Sequence, residues 1–396
     1  MKILIAADSF KDALPSLAVC EAIERGIRKA APAAGTVVFP MADGGEGTAS
    51  VLAHHLGGRE VQCTVNDPLF RPVEASYFLS ENGEVAFLEM AGASGLQRLS
   101  PAERNPLDTT TFGTGELLAD AKKRGAKKIV LGIGGSATND GGMGMAAALG
   151  WRFISPQGKE LPPTGRYLDQ VHHFSPQSSV FSPQASVPPI VVIYDVDNPL
   201  LGPQGAARVY ARQKGADDDA IEQLEAGMQH FSAVLKKHFG KDFSAIPGAG
   251  AAGGLGAGAM AFLNATLTPG IDALMELTGF EKLLQQANLV VTGEGKLDGQ
   301  TARHKLIHGI CKKAAQHNVP VVAFCGAVEA SPAQTKAIGL AATIAISPQS
   351  QHLELALQQT ARNLENAAFQ WFQVNTGAGK ARKGWADGNG HPGLGK

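Results

Sequence analysis

Short apolar runs alternate with amphipathic stretches along most of the chain. KILIAA (2–7) precedes an apolar-periodic segment, 16–31, whose start is marked by Pro15 and Ser16. TVVFP (36–40) leads through ADGGEG (42–47) into a helix expected to end near 56. KKIVLGIGG (127–135) comes before a Gly/Ala-rich helix. NLVVTGEG (288–295), PVVAFCG (320–326) and ATIAIS (342–347) read as short buried strands, with helices near 301–317 and 351–374. Unbroken apolar strands alternating with helices predict a parallel sheet covered on both faces.

Two regions depart from this rhythm. EVQCTV, VEASYFL and EVAFLEM, between 60 and 90, are separated by the turn signals NDP and ENG and predict an antiparallel meander. Residues 151–187 are irregular and rich in Pro, Ser and His. The expected fold is α/β: a Rossmann-like, doubly wound parallel domain with a second α/β domain inserted into it. The first is assigned 1–58, 112–150 and 285–375, the second 59–111 and 151–284. Residues 376–396 are Gly-rich and aperiodic and are expected to form a disordered tail.

Charge and composition narrow the function. Lys plus Arg number 35 against 36 Asp plus Glu, a net charge of −1, with no basic stripe for a nucleic-acid backbone. Charged residues make up 18% of the 396, below the roughly 25% of ordinary domains, so much of the chain is interior. No apolar run approaches the roughly 18 residues of a membrane span, and MKILIAADSF lacks the apolar core and cleavage site of a signal peptide. Cys20, Cys63, Cys311 and Cys325 form no CxxC pair, which argues against a disulfide or zinc framework and for a reducing cytoplasm.

Glycine stands out, with 48 residues gathered near 44–47, 132–144, 248–258 and 293–299. Such clusters suit either tight turns or close backbone approach to a ligand. Carboxylates accompany them. The presumptive strands end in Asp8-Ser9-Phe10-Lys11, in Asp43-Gly44-Gly45-Glu46, in Asp195-Val196-Asp197-Asn198 and in Gly293-Glu294-Gly295-Lys296-Leu297-Asp298. Ligands of open α/β sheets sit beyond the carboxyl ends of strands. One Asp there is commonly a helix cap; several, with Lys11 and Lys296 among them, suggest a magnesium and phosphate site.

Gly132-Ile133-Gly134-Gly135-Ser136-Ala137 meets the loose GxGxxA dinucleotide pattern, but no acid follows at the required distance before Glu160. The amides of Gly134, Gly135 and Ser136, at an expected helix start, suit a phosphate or a carboxylate equally. Walker A and G-x-S-x-G signatures are absent. The pairs His54-His55 and His172-His173 lack zinc-ligand spacing and read as surface histidines. PGAGAAGGLGAG (247–258) is either a second anion loop or a packing junction.

The motifs ADSFK, MADGGEGT, TTTFGTGELL, LGIGGSATNDGG, DVDNPL, QKGA, PGAGAAGGLGAG and TGEGKLDGQT, in this order, resemble those of the bacterial class I glycerate kinases from Met1 to about residue 374. The resemblance implies ATP-dependent phosphorylation of D-glycerate, with 2-phosphoglycerate the product ahead of 3-phosphoglycerate, and a two-domain α/β fold with a Rossmann-like part; the strand-end carboxylates add Mg2+ as the expected cofactor. By their places at strand ends and in glycine-rich loops, Asp195, Lys11 and Asp8 are the catalytic candidates. Gly134, Gly135, Ser136, Lys296 and Lys305 would bind phosphate, Ser9, Asp43 and Asn198 the substrate, and Glu294 and Asp298, which a non-helical glycine-rich loop lets turn toward one ion, the metal. Some positions differ from the family pattern. Ala7 replaces a proline, Ala211-Arg212 replaces Gly-Pro, and His304 and Ile307 replace a glycine and a proline around Lys305, which bears on efficiency rather than class. Rival readings are a nicotinamide oxidoreductase using 132–137 and a non-catalytic sensor of small acids. Neither membrane nor nucleic acid is an expected partner, and homo-oligomerisation is left open.

Overall fold

The computed structural model describes residues 1–43, 47–176, 188–298, 306–347 and 353–376. The chain divides into two compact units, Met1–Asp43 with Leu274–Lys396, and Gly44–Ala273. The second is therefore inserted into the first in chain order.

The first unit is built on a parallel sheet whose strands are Lys2–Ile5, Gly35–Val38, Leu289–Leu297, Val321–Val328 and Ala342–Ala345. Taken in chain order, their spatial order is second, first, third, fourth, fifth. Strand geometry sends alternate residues to opposite faces. Ile3, Ile5, Leu289, Val291, Val322 and Phe324 pack in one core cluster with Val19, Ile23, Leu364 and Phe372 from helices Ser16–Ala30 and Thr360–Thr376. Leu4, Val290, Val321 and Ala323 are equally buried, and helix Leu306–Gln316 contacts the two long strands. The two helices of the first face meet closely because Gly26 lacks a Cβ, which would lie 2.3 Å from the Glu365 carbonyl oxygen. This unit is doubly wound, as the alternating pattern predicts.

The second unit has a mixed sheet. Thr266–Pro269, Ile190–Tyr194, Lys128–Gly132 and Val85–Glu89 run parallel, and Pro72–Leu79 and Arg59–Asn66 continue the sheet antiparallel. The expected meander is present. A separate hairpin pairs Trp151–Ile154 with His173–Pro176 inside the stretch read as irregular.

The sequence-based domain boundaries require correction. Lys128–Gly132 bonds to Val85–Glu89 and Ile190–Tyr194, so 112–150 belongs with the inserted unit. Residues 47–58 go with it, and 274–284 go with the first unit. An apolar run announces burial on both faces but carries no label for its neighbours. The expected tail, like Lys305 and His304, lies outside the described residues apart from Thr376 at its start. The four cysteines are free, and among the described residues no helix is long and apolar enough to cross a membrane.

Candidate active site

In the first unit, the winding direction changes between strands Lys2–Ile5 and Leu289–Leu297, the topological switch point where such sheets take ligands. Asp8 sits there. Its N–H donates to the Gly293 carbonyl at 3.0 Å, beside buried Glu294. Ser16, at the start of a helix, uses its hydroxyl to bind rather than cap. It donates to the Ala7 carbonyl at 2.7 Å and accepts from the Met41 N–H at 2.9 Å. Ser16 thus ties together the two chain segments that carry Asp8 and Asp43.

The result is a crowd of carboxylates. Burial, then Asp43 and, less strongly, Glu294 push the Asp8 pKa up to about 7, while the Ser9 N–H, donating to Oδ1 at 2.7 Å, holds it back. The Ser9 hydroxyl lies 3.4 Å from the same oxygen. Lys11 is exposed in the following turn. Among the described residues no three His, Cys, Asp or Glu side chains form a ready metal cage.

The expectation that Glu294 and Asp298 turn toward one ion rested on a non-helical glycine-rich loop. The structure replaces that loop with strand, as Leu289–Leu297 stays paired with Val321–Val328 to its end. Four residues of extended chain separate Glu294 from Asp298 by roughly 13 Å, so they do not share an ion. Lys296 is exposed and pairs with Glu329 at 2.9 Å.

In the second unit, Gly134 and Gly135 form a turn after strand Lys128–Gly132. They do not open a helix, which is a second correction. Helix Met143–Ala148 begins only after Gly142, and its start is held by Asp140. That buried carboxylate accepts from the Thr111 N–H and hydroxyl and from the Gly142 and Gly144 N–H groups, at 2.7–3.0 Å. A dinucleotide cradle requires the loop to run into the helix, so the GxGxxA match loses its structural context.

What sequence reasoning missed is Lys214. Its side chain is 2% exposed, and its ammonium donates to Ser136 Oγ and to the Thr138 carbonyl, both at 2.7 Å. Burial pushes its pKa down to about 7, with Asp140 opposing. Beside it, Thr138 Oγ1 and both polar atoms of the Asn139 side chain are buried with no partner among the described residues. The only signal in the sequence was QKGA, used for the resemblance and not for the site.

PGAGAAGGLGAG resolves as a packing junction. A Cβ on Gly253 would lie 2.1 Å from the Thr138 carbonyl oxygen, and one on Gly258 would lie 2.4 Å from that of Gly141. Asp195, just past strand Ile190–Tyr194, is exposed. Tyr210 donates to Asn198 Oδ1 at 2.6 Å, and Asn198 Nδ2 donates to the Gln204 carbonyl at 2.8 Å. Burial, then Asp195 and Asp197, raise the pKa of Tyr210, which sets the phenol beside these carboxylates.

The Glycerate kinase family model matches residues 3–375. A Bacillus cereus glycerate kinase is 42% identical, over 93% of this chain and 96% of its own. An Escherichia coli glycerate 2-kinase is 40% identical, over 83% and 86% respectively. A solved Salmonella typhimurium structure, assigned as glycerate kinase 2, superposes with a TM-score of 0.84 at 39% identity, covering 94% of this chain and 98% of that one.

Proposed function

The chain belongs to the glycerate kinase family, and on that premise we propose that it moves the γ-phosphoryl group of ATP to D-glycerate, giving 2-phosphoglycerate and ADP in the cytoplasm. The observation that carries the finer reading is the carboxylate cluster at the switch point, a place suited to a cation-bound polyphosphate. The Escherichia coli relative's description as a glycerate 2-kinase supports the 2-hydroxyl over the 3-hydroxyl. Such a product suits the breakdown of organic acids.

A divalent cation fits the acidic edge, since crowded, partly buried carboxylates are relieved by positive charge. Asp8 and Glu294 would hold Mg2+, which would supply neutralisation of charge on the phosphate oxygens. Lys11 reaches those oxygens from its exposed turn, and Lys305 is assigned the same task. Lys296 joins them easily, because an exposed pair such as Lys296–Glu329 is worth only about 0–1 kcal/mol. Ser9 and Asp43 orient substrate at this edge.

Asp195 takes the proton of the reacting hydroxyl as its oxygen bonds to the γ-phosphorus and ADP departs. Asn198, fixed by Tyr210 and the Gln204 carbonyl, positions that hydroxyl. Gly134, Gly135 and Ser136 receive an anion. Without a helix behind them, they act through their own amides and the Ser136 hydroxyl.

The test is ADP release over a panel of small hydroxyacids with the product passed to enolase, which dehydrates 2-phosphoglycerate directly. Release with D-glycerate and immediate formation of phosphoenolpyruvate are expected. A product that enolase leaves untouched would move the reading to the 3-hydroxyl. Thermal stabilisation by D-glycerate with no ADP release would favour the sensor.

A further inference from the structure

In its ammonium form Lys214 has no carboxylate bound to it among the described residues. Taking an ammonium out of water is costly unless charge or hydrogen bonds compensate. Asp140, the nearest opposing charge, has its oxygens engaged by four donors of the Thr111 and Gly142–Gly144 segments. Among the described residues Lys214 therefore makes two bonds, to Ser136 Oγ and the Thr138 carbonyl, and its third hydrogen has no protein acceptor.

The bond to Ser136 has a directional consequence. A hydroxyl has one hydrogen and two lone pairs. With Lys214 donating into the oxygen, Ser136 is set as a donor in another direction, and among the described residues nothing accepts its hydrogen. Ser136 is 8% exposed and follows the exposed Gly135, whereas Lys214 is 2% exposed. The arrangement asks for an acceptor of negative charge, one hydrogen bond in front of a buried cation.

We propose that Ser136 binds the carboxylate of glycerate and that Lys214 is the positioning residue that fixes the serine as a donor and makes the subsite prefer an acid to a neutral polyol. This rests on D-glycerate being the substrate, and it decides between the two anions open to the loop. Lys214 does not touch substrate. Its charge acts through the serine oxygen, where charge-assisted bonds are shorter and stronger than neutral ones.

Steady-state kinetics of the full chain with ATP, D-glycerate and D-glyceramide, the neutral amide, tests the idea. Lys214→Met and Ser136→Ala should each raise KM for D-glycerate roughly ten- to a hundredfold, the range of a lost charged hydrogen bond. The KM for ATP should change less than about twofold, and the preference for acid over amide should shrink in both variants. The double variant should be little worse than either single one, because both substitutions break one chain of contacts. Ser136→Thr, which keeps the hydroxyl, should restore most of the affinity, a recovery that a purely structural role for Lys214 does not predict. If Lys214→Met fails to fold, the Ser136→Ala and Ser136→Thr pair carries the test alone. A KM for D-glycerate unchanged in folded Ser136→Ala overturns the proposal, as does a rise confined to ATP. Wild-type protein inactive on D-glycerate contradicts the substrate itself, a separate failure visible before any variant is made.

Discussion

The acidic edge of the first unit and the buried lysine of the second are opposite answers to one physical problem. Burial favours the neutral form of any ionisable group. At Asp8, Asp43 and Glu294 add to that effect, and the pKa rises to about 7. At Lys214, burial acts against Asp140 and the pKa falls to about 7. The difference lies in the neighbours. Asp8 is crowded by charges of its own sign, whereas Lys214 has an opposite charge nearby that is already committed to holding a helix start. Both regions are out of balance in the protein alone, and on the proposals above each would be balanced by a ligand of the opposite sign: a cation with its nucleotide at Asp8, an acid at Ser136 in front of Lys214. Stored imbalance of this kind is characteristic of functional sites.

The largest expected effect comes from the acidic edge. Asp8→Asn should lower kcat roughly 10²–10³-fold, the scale of removing one electrostatic stabiliser from an active site. The same change should raise the melting temperature of the ligand-free protein, because three like charges become two. Activity near wild type would show that the crowd is structural. Asp195→Asn should cost about a hundredfold in kcat with little change in either KM, as expected for loss of a general base. A folded variant with normal turnover would take the base assignment away from Asp195.

The second unit's loop is expected to respond through stability. Gly253 has φ +66° and no room for a Cβ against the Thr138 carbonyl. Gly253→Ala should therefore destabilise by at least about 2 kcal/mol, measured by denaturant unfolding. That variant sharpens the comparison, because it disturbs the backbone behind Lys214 without altering charge.

Lys214 also predicts a pH dependence with a definite sign. Its pKa is lowered from the ordinary 10.5 to about 7, so between those values the unfolded chain binds more protons than the folded one. Stability attributable to this residue rises with pH across that window and is lost as pH falls through about 7. Wild-type protein should gain on Lys214→Met as the pH of a ligand-free melting series increases from 7 toward 10. A difference that stays flat would mean that the lysine keeps its charge throughout. The smallest effect is expected at Lys296. Lys296→Ala should raise KM for ATP only severalfold, since an exposed ammonium contributes little beside the other charges.

The legibility of this chain followed the range of the interactions. Strand-to-helix alternation is local, and runs such as NLVVTGEG and PVVAFCG became neighbouring parallel strands as their composition implies. KKIVLGIGG was equally clear as a strand, yet its partners were not, because apolar runs from the two sheets look alike and pairing is decided by distant chain. Only the end of the NLVVTGEG run, from Gly295 toward Asp298, reads as a glycine-rich loop. Pairing with the strand Val321–Val328 holds it extended instead, and a Cβ on Gly326 would lie 2.4 Å from the Gly295 carbonyl oxygen. Asp8, Asp43 and Glu294 were visible because carboxylates after strands form a pattern. Lys214 was not. In ARQKGADDD it looks like any surface lysine, and only the fold reveals that it points into protein and meets Ser136, 78 residues away in sequence.

The most direct test of the two-region comparison is calorimetric titration of Asp8→Asn and Lys214→Met, each as the full chain, with ATP plus Mg2+ and separately with D-glycerate. Asp8→Asn should lose Mg2+-dependent nucleotide binding and keep D-glycerate. Lys214→Met should keep the nucleotide and lose D-glycerate. If both folded variants lose the same ligand, or neither loses any, the assignment of one imbalance to each ligand is wrong.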